Sequence, residues 1–325
     1  MPRAFITGIT GQDGRYLARL LLDKGYEVSG LVHGVNNPRA ELLRHELPEV
    51  RLHTGDVTDL PSLIRAMLAA QPDELYNLGG ISFVAHSWEN ALATSQVTGL
   101  GVLNVLEAIR LHQDETGRAV RFYQASSSEM FGKAQEVPQR ETTPFHPRSP
   151  YGVAKVYAHY MTINYRESYG MHASTGILFN HESPLRDPRF VTRKISQAVA
   201  RISLGLQDEL VLGNIEARRD WGFAGDYVDA MWRMLQQDAG DDYIVATGEV
   251  HSIREFLDAA FAVVGIDDWS PYLRQSGEFM RPADVDLVVG DATRARERLG
   301  WEPTIRFAEL VRLMVEADLT EQSGR

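Results

Sequence analysis

A glycine-rich loop set between a short apolar strand and an amphipathic helix restricts this chain more than any other stretch. Ala4–Thr7 is apolar and strand-like, and Gly8-Ile9-Thr10-Gly11-Gln12-Asp13-Gly14 follows it. Tyr16, Leu17, Leu20, Leu21 and Leu22 then recur with helical spacing up to Gly25. Strand, glycine loop and helix in that order form the context a dinucleotide-binding loop requires. Glycine lets the backbone turn tightly and brings N–H groups close to a pyrophosphate at the helix N-terminus. The spacing is GxxGxxG, with Gly8, Gly11 and Gly14 as its three glycines.

Strand and helix signals alternate onward from this loop. Glu27–Val32, Arg51–Thr54, Glu74–Leu78, Arg121–Ser126 and Ser174–Leu178 read as strands, with a long amphipathic helix near 90–111 and another from Pro150 to Tyr169. Such alternation predicts an α/β fold, a doubly wound parallel sheet of the Rossmann type. From about Arg186 the pattern becomes irregular, with short segments at 191–204, 209–212, 227–237, 253–264 and 307–317. A dinucleotide-binding domain is therefore expected over 1–185, with later returns to the sheet near 215–250. Residues 186–325 are expected to form mainly a smaller, interleaved substrate-binding region.

Composition narrows the partners. A net charge of −11 argues against nucleic acid or an anionic membrane surface as the main partner. No apolar run approaches the ~20 residues that span a bilayer, and no basic-then-apolar leader opens the chain. The chain contains no Cys, which removes disulfides, thiolate metal sites and Cys nucleophiles. Its ten His show no HxxxH or HExxH pairing, so no metal site is expected. The expectation is a cytoplasmic enzyme or binding protein.

Chemistry concentrates between Tyr123 and Lys155. Tyr123-Gln124-Ala125 runs into Ser126-Ser127-Ser128-Glu129, the pattern of a buried strand whose carboxyl end opens into a crevice. Further on, Pro150 suits the first turn of a helix, and the four-residue spacing stacks Tyr151 and Lys155 on one helical face. A neighbouring ammonium is expected to favour phenolate and pull the phenol from about 10 toward neutrality. A phenol so tuned takes a proton from a sugar or alcohol hydroxyl. Taken alone, Tyr151 and Lys155 also fit a plain surface pair.

The cofactor half is less regular. A site for NAD would end the second strand in Asp or Glu, whereas here His33-Gly34-Val35-Asn36-Asn37-Pro38-Arg39 carries no acid. Arg39 and Arg44 are the nearest cations for a 2′-phosphate, or else plain solvated charges. Asp56 stands where a carboxylate accepts from an adenine amino group, Asp59 reads as a helix N-cap, and Gly79-Gly80-Ile81-Ser82 breaks the fourth strand.

Together these features resemble the extended short-chain dehydrogenase/reductase superfamily. Longer phrases are similar to the GDP-mannose 4,6-dehydratase family within it: 8–14, 126–129, 138–144, 147–151, 164–167, 176–184, 191–194, 219–222 and 246–248. The resemblance covers nearly the whole chain. It implies Tyr151 as the base at the sugar C4 hydroxyl, Lys155 as its tuning partner on the nicotinamide ribose, and Ser127, where the family usually carries Thr, as a donor to the C4 oxygen. Glu129 would shuttle protons between C5 and the C6 hydroxyl. Gly8, Gly11, Gln12, Asp13, Gly14, Arg39, Asp56, Val57, Leu78, Gly79, Ser82, His181 and Arg186 would join Tyr151 and Lys155 around the cofactor. Ser82, Asn180, Lys194, Arg219, Arg281 and Asp284 would meet the sugar nucleotide, the cations facing its diphosphate.

The sequence departs from the family after the second strand, where an Arg-Arg-Ser-Ser run is replaced by Gly34-Val35-Asn36-Asn37. Two further departures are Gly79-Gly80-Ile81-Ser82 for Ala-Ala-Gln-Ser, and Asp284 in an Arg-Pro-x-Glu-Val-Asp phrase. The implied cofactor is NADP, with NAD as the alternative, and the implied assembly a homodimer or homotetramer. The implied reaction is a dehydration: oxidation at C4, loss of water across C5–C6, and hydride return to C6 of GDP-mannose. A 4-epimerase, a 4-keto reductase and a dehydratase of a GDP-heptose are the alternatives. Glu129 favours dehydration, because the other two reactions need no proton shuttle at C5.

Overall fold

A computed structural model describes residues 1–34, 36–277 and 288–324. The strands are β1 (Arg3–Thr7), β2 (Glu27–Val32), β3 (Arg51–Thr54), β4 (Glu74–Asn77), β5 (Arg121–Ser127), β6 (Ala173–Leu178), β7 (Asn180–Glu182), β8 (Leu210–Leu212), β9 (Arg218–Arg219), β10 (Trp221–Phe223), β11 (Asp242–Val245), β12 (His251–Ser252) and β13 (Leu273–Gln275). The α-helices are α1 (Gln12–Asp23), α2 (Pro38–Glu46), α3 (Leu60–Ala70), α4 (His86–Glu89), α5 (Ala91–Thr94), α6 (Gly101–Thr116), α7 (Pro150–Tyr169), α8 (Val191–Ser203), α9 (Ala224–Leu235), α10 (Ile253–Val263) and α11 (Phe307–Ser323).

Seven strands form one parallel sheet in the order β11-β6-β5-β4-β1-β2-β3. The chain runs outward from β1 through β2 to β3, then crosses back to β4 beside β1. That reversal opens a crevice at the carboxyl ends of β1 and β4, where ligands of open α/β sheets bind. Strands of such a sheet are covered on both faces, which explains their nearly continuous apolar character. One face carries Leu17 and Leu21 of α1, Leu43 of α2 and Tyr227, Met231 and Met234 of α9. The other carries Leu63 and Met67 of α3, Val102, Val105 and Ile109 of α6, and Tyr165 of α7. Each such side chain, removed from water, stabilises the fold by roughly 1.5–3 kcal/mol.

A further core lies away from the sheet, built by Ile195 and Val199 of α8, Phe256 and Leu257 of α10, and Leu310 and Met314 of α11. β11 returns from this later part of the chain to the sheet edge. Arg166 of α7 anchors it, donating to both carboxylate oxygens of Asp242 at 3.1 and 2.9 Å. Thr175 of β6 donates to the same carboxylate at 2.8 Å.

Two expectations need correction. The helix expected to end near 111 runs on, as α5, a π-helical stretch (Ser95–Leu100) and α6, to Thr116. The whole stretch Ala91–Thr116 is long and apolar enough to cross a bilayer by length and composition, contrary to the expectation of no such run. Half of that window is nevertheless buried inside the protein, because its apolar stripe packs beneath the sheet. Asp59 does sit at the N-cap of α3, but its side chain makes no capping hydrogen bond.

Candidate active site

The loop after β1 is held by backbone contacts that only glycine allows. Gly8 has φ +70°, and a Cβ on Gly14 would lie 2.5 Å from the Gly8 carbonyl oxygen. Helix α1 can therefore press directly onto the loop. Its N-cap is Gly11, which offers no side-chain acceptor to the N–H groups of the first turn. Those donors and the positive end of the helix dipole suit an anion.

Gln12 and Asp13, at the start of α1, are tied to β7. Gln12 donates to the His181 carbonyl at 3.1 Å and accepts from Ser183 at 2.8 Å. His181 Nε2 lies 2.9 Å from Asp13 Oδ2, and Nδ1 lies 2.8 Å from the Phe179 carbonyl. The ring also stacks on Tyr227 at 4.6 Å. Burial works against both charges, yet each partner's field prevails. Asp13 falls to about 2, through the His181 charge and hydrogen bond, then Gln12 and Arg186. His181 is raised, burial being outweighed by Asp13 and the Phe179 carbonyl. Both ring nitrogens of His181 are thus engaged by the protein as an imidazolium.

At the carboxyl ends of β2 and β3, His33 Nδ1 lies 2.7 Å from Asp56 Oδ2. Burial pushes the Asp56 carboxyl up, but hydrogen bonds from Thr58 and the His33 partner hold it lower overall. The sequence reading passed over His33, although its signal was simple: it is the first residue after β2. Arg39 is exposed at the start of α2, with its guanidinium 3.5 Å from Asp187 Oδ2. Asp187 is also held by Arg189 at 2.9 Å. Val57, Leu78 and Gly79 line the same sheet end, and Gly79 N–H donates to Thr7 at 3.0 Å. Ser82 is exposed in the following loop.

The reactive cluster forms where β5 meets α7. Ser127 ends β5, Glu129 lies in the 3-10 turn beyond it, and Ser149 caps α7 by accepting from Gly152 N–H at 3.0 Å. A Cβ on Gly152 would lie 2.8 Å from the Glu129 carbonyl, so the turn and the helix start are in direct contact. Tyr151 and Lys155 are buried, with Lys155 Nζ 5.7 Å from the Tyr151 ring centroid. The Tyr151 phenol lies close enough to Ser127 for that hydroxyl to favour its ionised form, and it feels the Glu129 carboxylate; the Ser127 hydroxyl accepts from Glu129 N–H at 3.2 Å.

The expected direction of the Tyr151 shift is reversed. Burial, the largest effect, pushes the phenol above its ordinary value, with only partial relief from Ser127 and Arg186. The Lys155 ammonium, 5.7 Å from the phenol ring centroid, donates to the Ala125 carbonyl at 2.7 Å. Burial also lowers Lys155, to about 8, against the pull of Asp13. Burial therefore favours the neutral phenol over the phenolate.

Arg186 joins this cluster through its field on Tyr151 and Asp13. It lies 3.0 Å from Glu182 and 3.6 Å over the Phe190 ring. Asn180 of β7 is paired with Trp221 of β10, two residues beyond Arg219 of β9. Lys194, in the first turn of α8, has its pKa lowered by burial. Arg281 and Asp284 lie outside the described residues.

Comparisons with known proteins place the chain in one family. The family description GDP-mannose 4,6 dehydratase matches residues 5–314. The chain is 52% identical to Arabidopsis thaliana GDP-mannose 4,6 dehydratase 1, over 97% of this chain and 89% of that one. It is 46% identical to the Homo sapiens GDP-mannose 4,6 dehydratase, over 97% and 91%. Among solved structures, RMD from Pseudomonas aeruginosa complexed with NADPH aligns with a TM-score of 0.81 and 26% identity, over 99% and 100%. Thermus thermophilus UDP-glucose 4-epimerase complexed with NAD aligns at 0.83 and 28%, over 97% and 98%.

Proposed function

Because the chain belongs to the GDP-mannose 4,6-dehydratase family, we propose that Ser127, Glu129, Tyr151 and Lys155 carry that family's reaction. The enzyme is a hydro-lyase that converts GDP-mannose to GDP-4-keto-6-deoxymannose with NADP bound. One observation supports this residue assignment most directly. The Ser127 hydroxyl accepts from Glu129 N–H at 3.2 Å, the Glu129 turn packs against the start of the Tyr151 helix, and Tyr151 lies within the influence of both side chains, so the groups for C4 and C5 chemistry converge on one crevice.

The glycine loop fits a dinucleotide, since its close packing against α1 leaves the first-turn N–H groups without a side-chain cap. Gly8, Gly11, Gln12, Asp13 and Gly14 would hold the pyrophosphate side. Asp56, Val57, Leu78, Gly79, Ser82 and Arg39 would hold the adenosine side, and Tyr151, Lys155, His181 and Arg186 would surround the nicotinamide side. When bound, NADP supplies a hydride acceptor and a positive charge. Tyr151 then takes the proton of the C4 hydroxyl while Ser127 donates a hydrogen bond to the C4 oxygen. A ketone at C4 acidifies the C5 proton, so the Glu129 carboxylate removes it and protonates the departing C6 hydroxyl. Asn180, Lys194, Arg219 and, beyond the described residues, Arg281 and Asp284 would hold the nucleotide sugar.

The proposed division is 1–185 for the dinucleotide and 186–325 mainly for the substrate. A homodimer or homotetramer is proposed on exposed apolar side chains: Val153, Tyr157 and Tyr160 along α7, with Leu92 and Leu100 on the neighbouring helical stretch. A cytoplasmic location is proposed, in keeping with a nucleotide-sugar substrate and a nicotinamide cofactor. GDP-mannose deuterated at C4, turned over in ordinary water, tests the reaction. Deuterium should appear at C6 of the product with no net cofactor consumed. Label lost to solvent, or steady accumulation of reduced cofactor, would overturn the dehydratase assignment.

A further inference from the structure

Polar side chains interrupt three adjacent apolar strands at one level of the sheet. Thr7 of β1 pairs with Asn77 of β4, and Asn77 pairs with Gln124 of β5. All three are buried. They form one continuous chain. Gly79 N–H donates to Thr7 Oγ1 at 3.0 Å, Thr7 to Asn77 Oδ1 at 2.5 Å, Asn77 Nδ2 to Gln124 Oε1 at 2.8 Å, and Gln124 Nε2 to the Ala125 carbonyl at 2.9 Å. The same carbonyl accepts Lys155 Nζ at 2.7 Å.

The direction of this chain is not arbitrary. A backbone N–H can only donate, so Gly79 obliges Thr7 to accept from it and to pass its own proton toward Asn77. That fixes the amide orientation of Asn77, which in turn fixes that of Gln124. Reversing either amide would place like groups together in a buried setting, where an unmade hydrogen bond is costly. The last donor, Gln124, therefore holds the Ala125 carbonyl where it meets the ammonium. The turn that carries Gly79 and the lysine beside Tyr151 are linked through hydrogen bonds alone.

We propose that Gln124, supported by Asn77 and Thr7, is a positioning residue for the reaction: it orients the Ala125 carbonyl and so sets where the Lys155 ammonium stands relative to the Tyr151 phenol. This rests on the assignment of Tyr151 and Lys155 as the proton-handling pair. A purely structural polar zipper would stabilise the sheet without affecting the lysine. Positioning predicts an effect on the lysine itself, with Asp13 as the other charge acting on it.

The experiment uses the full-length enzyme with NADP bound. The chain has four lysines, Lys24, Lys133, Lys155 and Lys194, so carbon-13 lysine labelling gives a spectrum in which Lys155→Met identifies the relevant signal. In Gln124→Met the Lys155 titration midpoint should rise by half a pH unit or more, since the ammonium then has the carbonyl to itself. kcat should fall on the order of 10- to 50-fold with KM for GDP-mannose within about threefold. Thr7→Val, four links away and isosteric, should move the same midpoint and lower kcat, and Thr7→Ser should restore both. If Gln124→Met does not fold, the Thr7 pair decides. Unchanged Lys155 titration in the folded variants, or loss appearing only in KM, would overturn the positioning role. An inactive wild type with the predicted Lys155 shifts would instead sink the reaction assignment and leave the positioning standing.

Discussion

Asp13→Asn isolates what the buried charge pair between the glycine loop and β7 contributes. In the wild type, Asp13 falls from 3.8 to about 2, although burial alone would raise it. At about 1.4 kcal/mol per pH unit, that fall is worth roughly 2 kcal/mol of stability. His181 is raised above 6.5 by the same contact. Its contribution is therefore fully present below about 6.5 and fades as the pH climbs through the raised folded value. Asp13 sets the other edge, with its contribution present above about 3.8 and lost as the pH falls toward 2. The pair should be worth most between about pH 4 and 6.5.

Asparagine keeps the size and a hydrogen-bond partner but removes the charge that sustains the imidazolium. Urea unfolding of both proteins at pH 5.5 and pH 9, with NADP at one saturating concentration, measures the difference. The variant should lose roughly 2 kcal/mol at pH 5.5. The loss should be smaller at pH 9, as the imidazole gives up its proton and the carboxylate keeps only a hydrogen bond from the ring. Proton NMR of the His181 C2–H should give a wild-type midpoint above 6.5 and a lower one in the variant. Equal losses at the two pH values, or a wild-type His181 that titrates at or below 6.5, would refute the reasoning.

Glu129→Gln should keep nucleotide-sugar binding and some C4 oxidation while elimination drops on the order of 100-fold or more, whereas Tyr151→Phe should abolish the first oxidation; unimpaired elimination in the Gln variant removes Glu129 from the mechanism. NADP should bind roughly 10- to 100-fold more tightly than NAD, the margin of one charged hydrogen bond of about 1.5–3 kcal/mol. Dissociation constants for both nucleotides on wild type, Arg39→Ala and His33→Ala assign that margin, and a ratio unchanged in both variants would show that neither side chain reads the 2′-phosphate.

The sheet was legible because its determinants are local. Strand-length apolar runs, glycines at their ends and helical spacing between them are written residue by residue, so β1 to β6 were read nearly to their termini. The glycine loop and the shared helical face of Tyr151 and Lys155 were legible from spacing, whereas the parts given to Ser127 and Glu129 came from the family resemblance. β11 was foreseen only as a return near 215–250, because its place at the sheet edge depends on Arg166 gripping Asp242 from 76 residues away. No local pattern encodes such a contact.

Electrostatics belonged to the tertiary structure altogether. The sequence put a lysine beside a tyrosine and suggested an acidified phenol. The folded protein buries that phenol and directs the ammonium to the Ala125 carbonyl instead. The sign of a pKa shift is the difference between desolvation and local partners, both set by residues distant in the chain. The Asp13–His181 and His33–Asp56 pairs, separated by 168 and 23 residues respectively, arise the same way: each end was visible in the sequence, but only the packing of β7 against α1 and of β2 against β3 brought the side chains together.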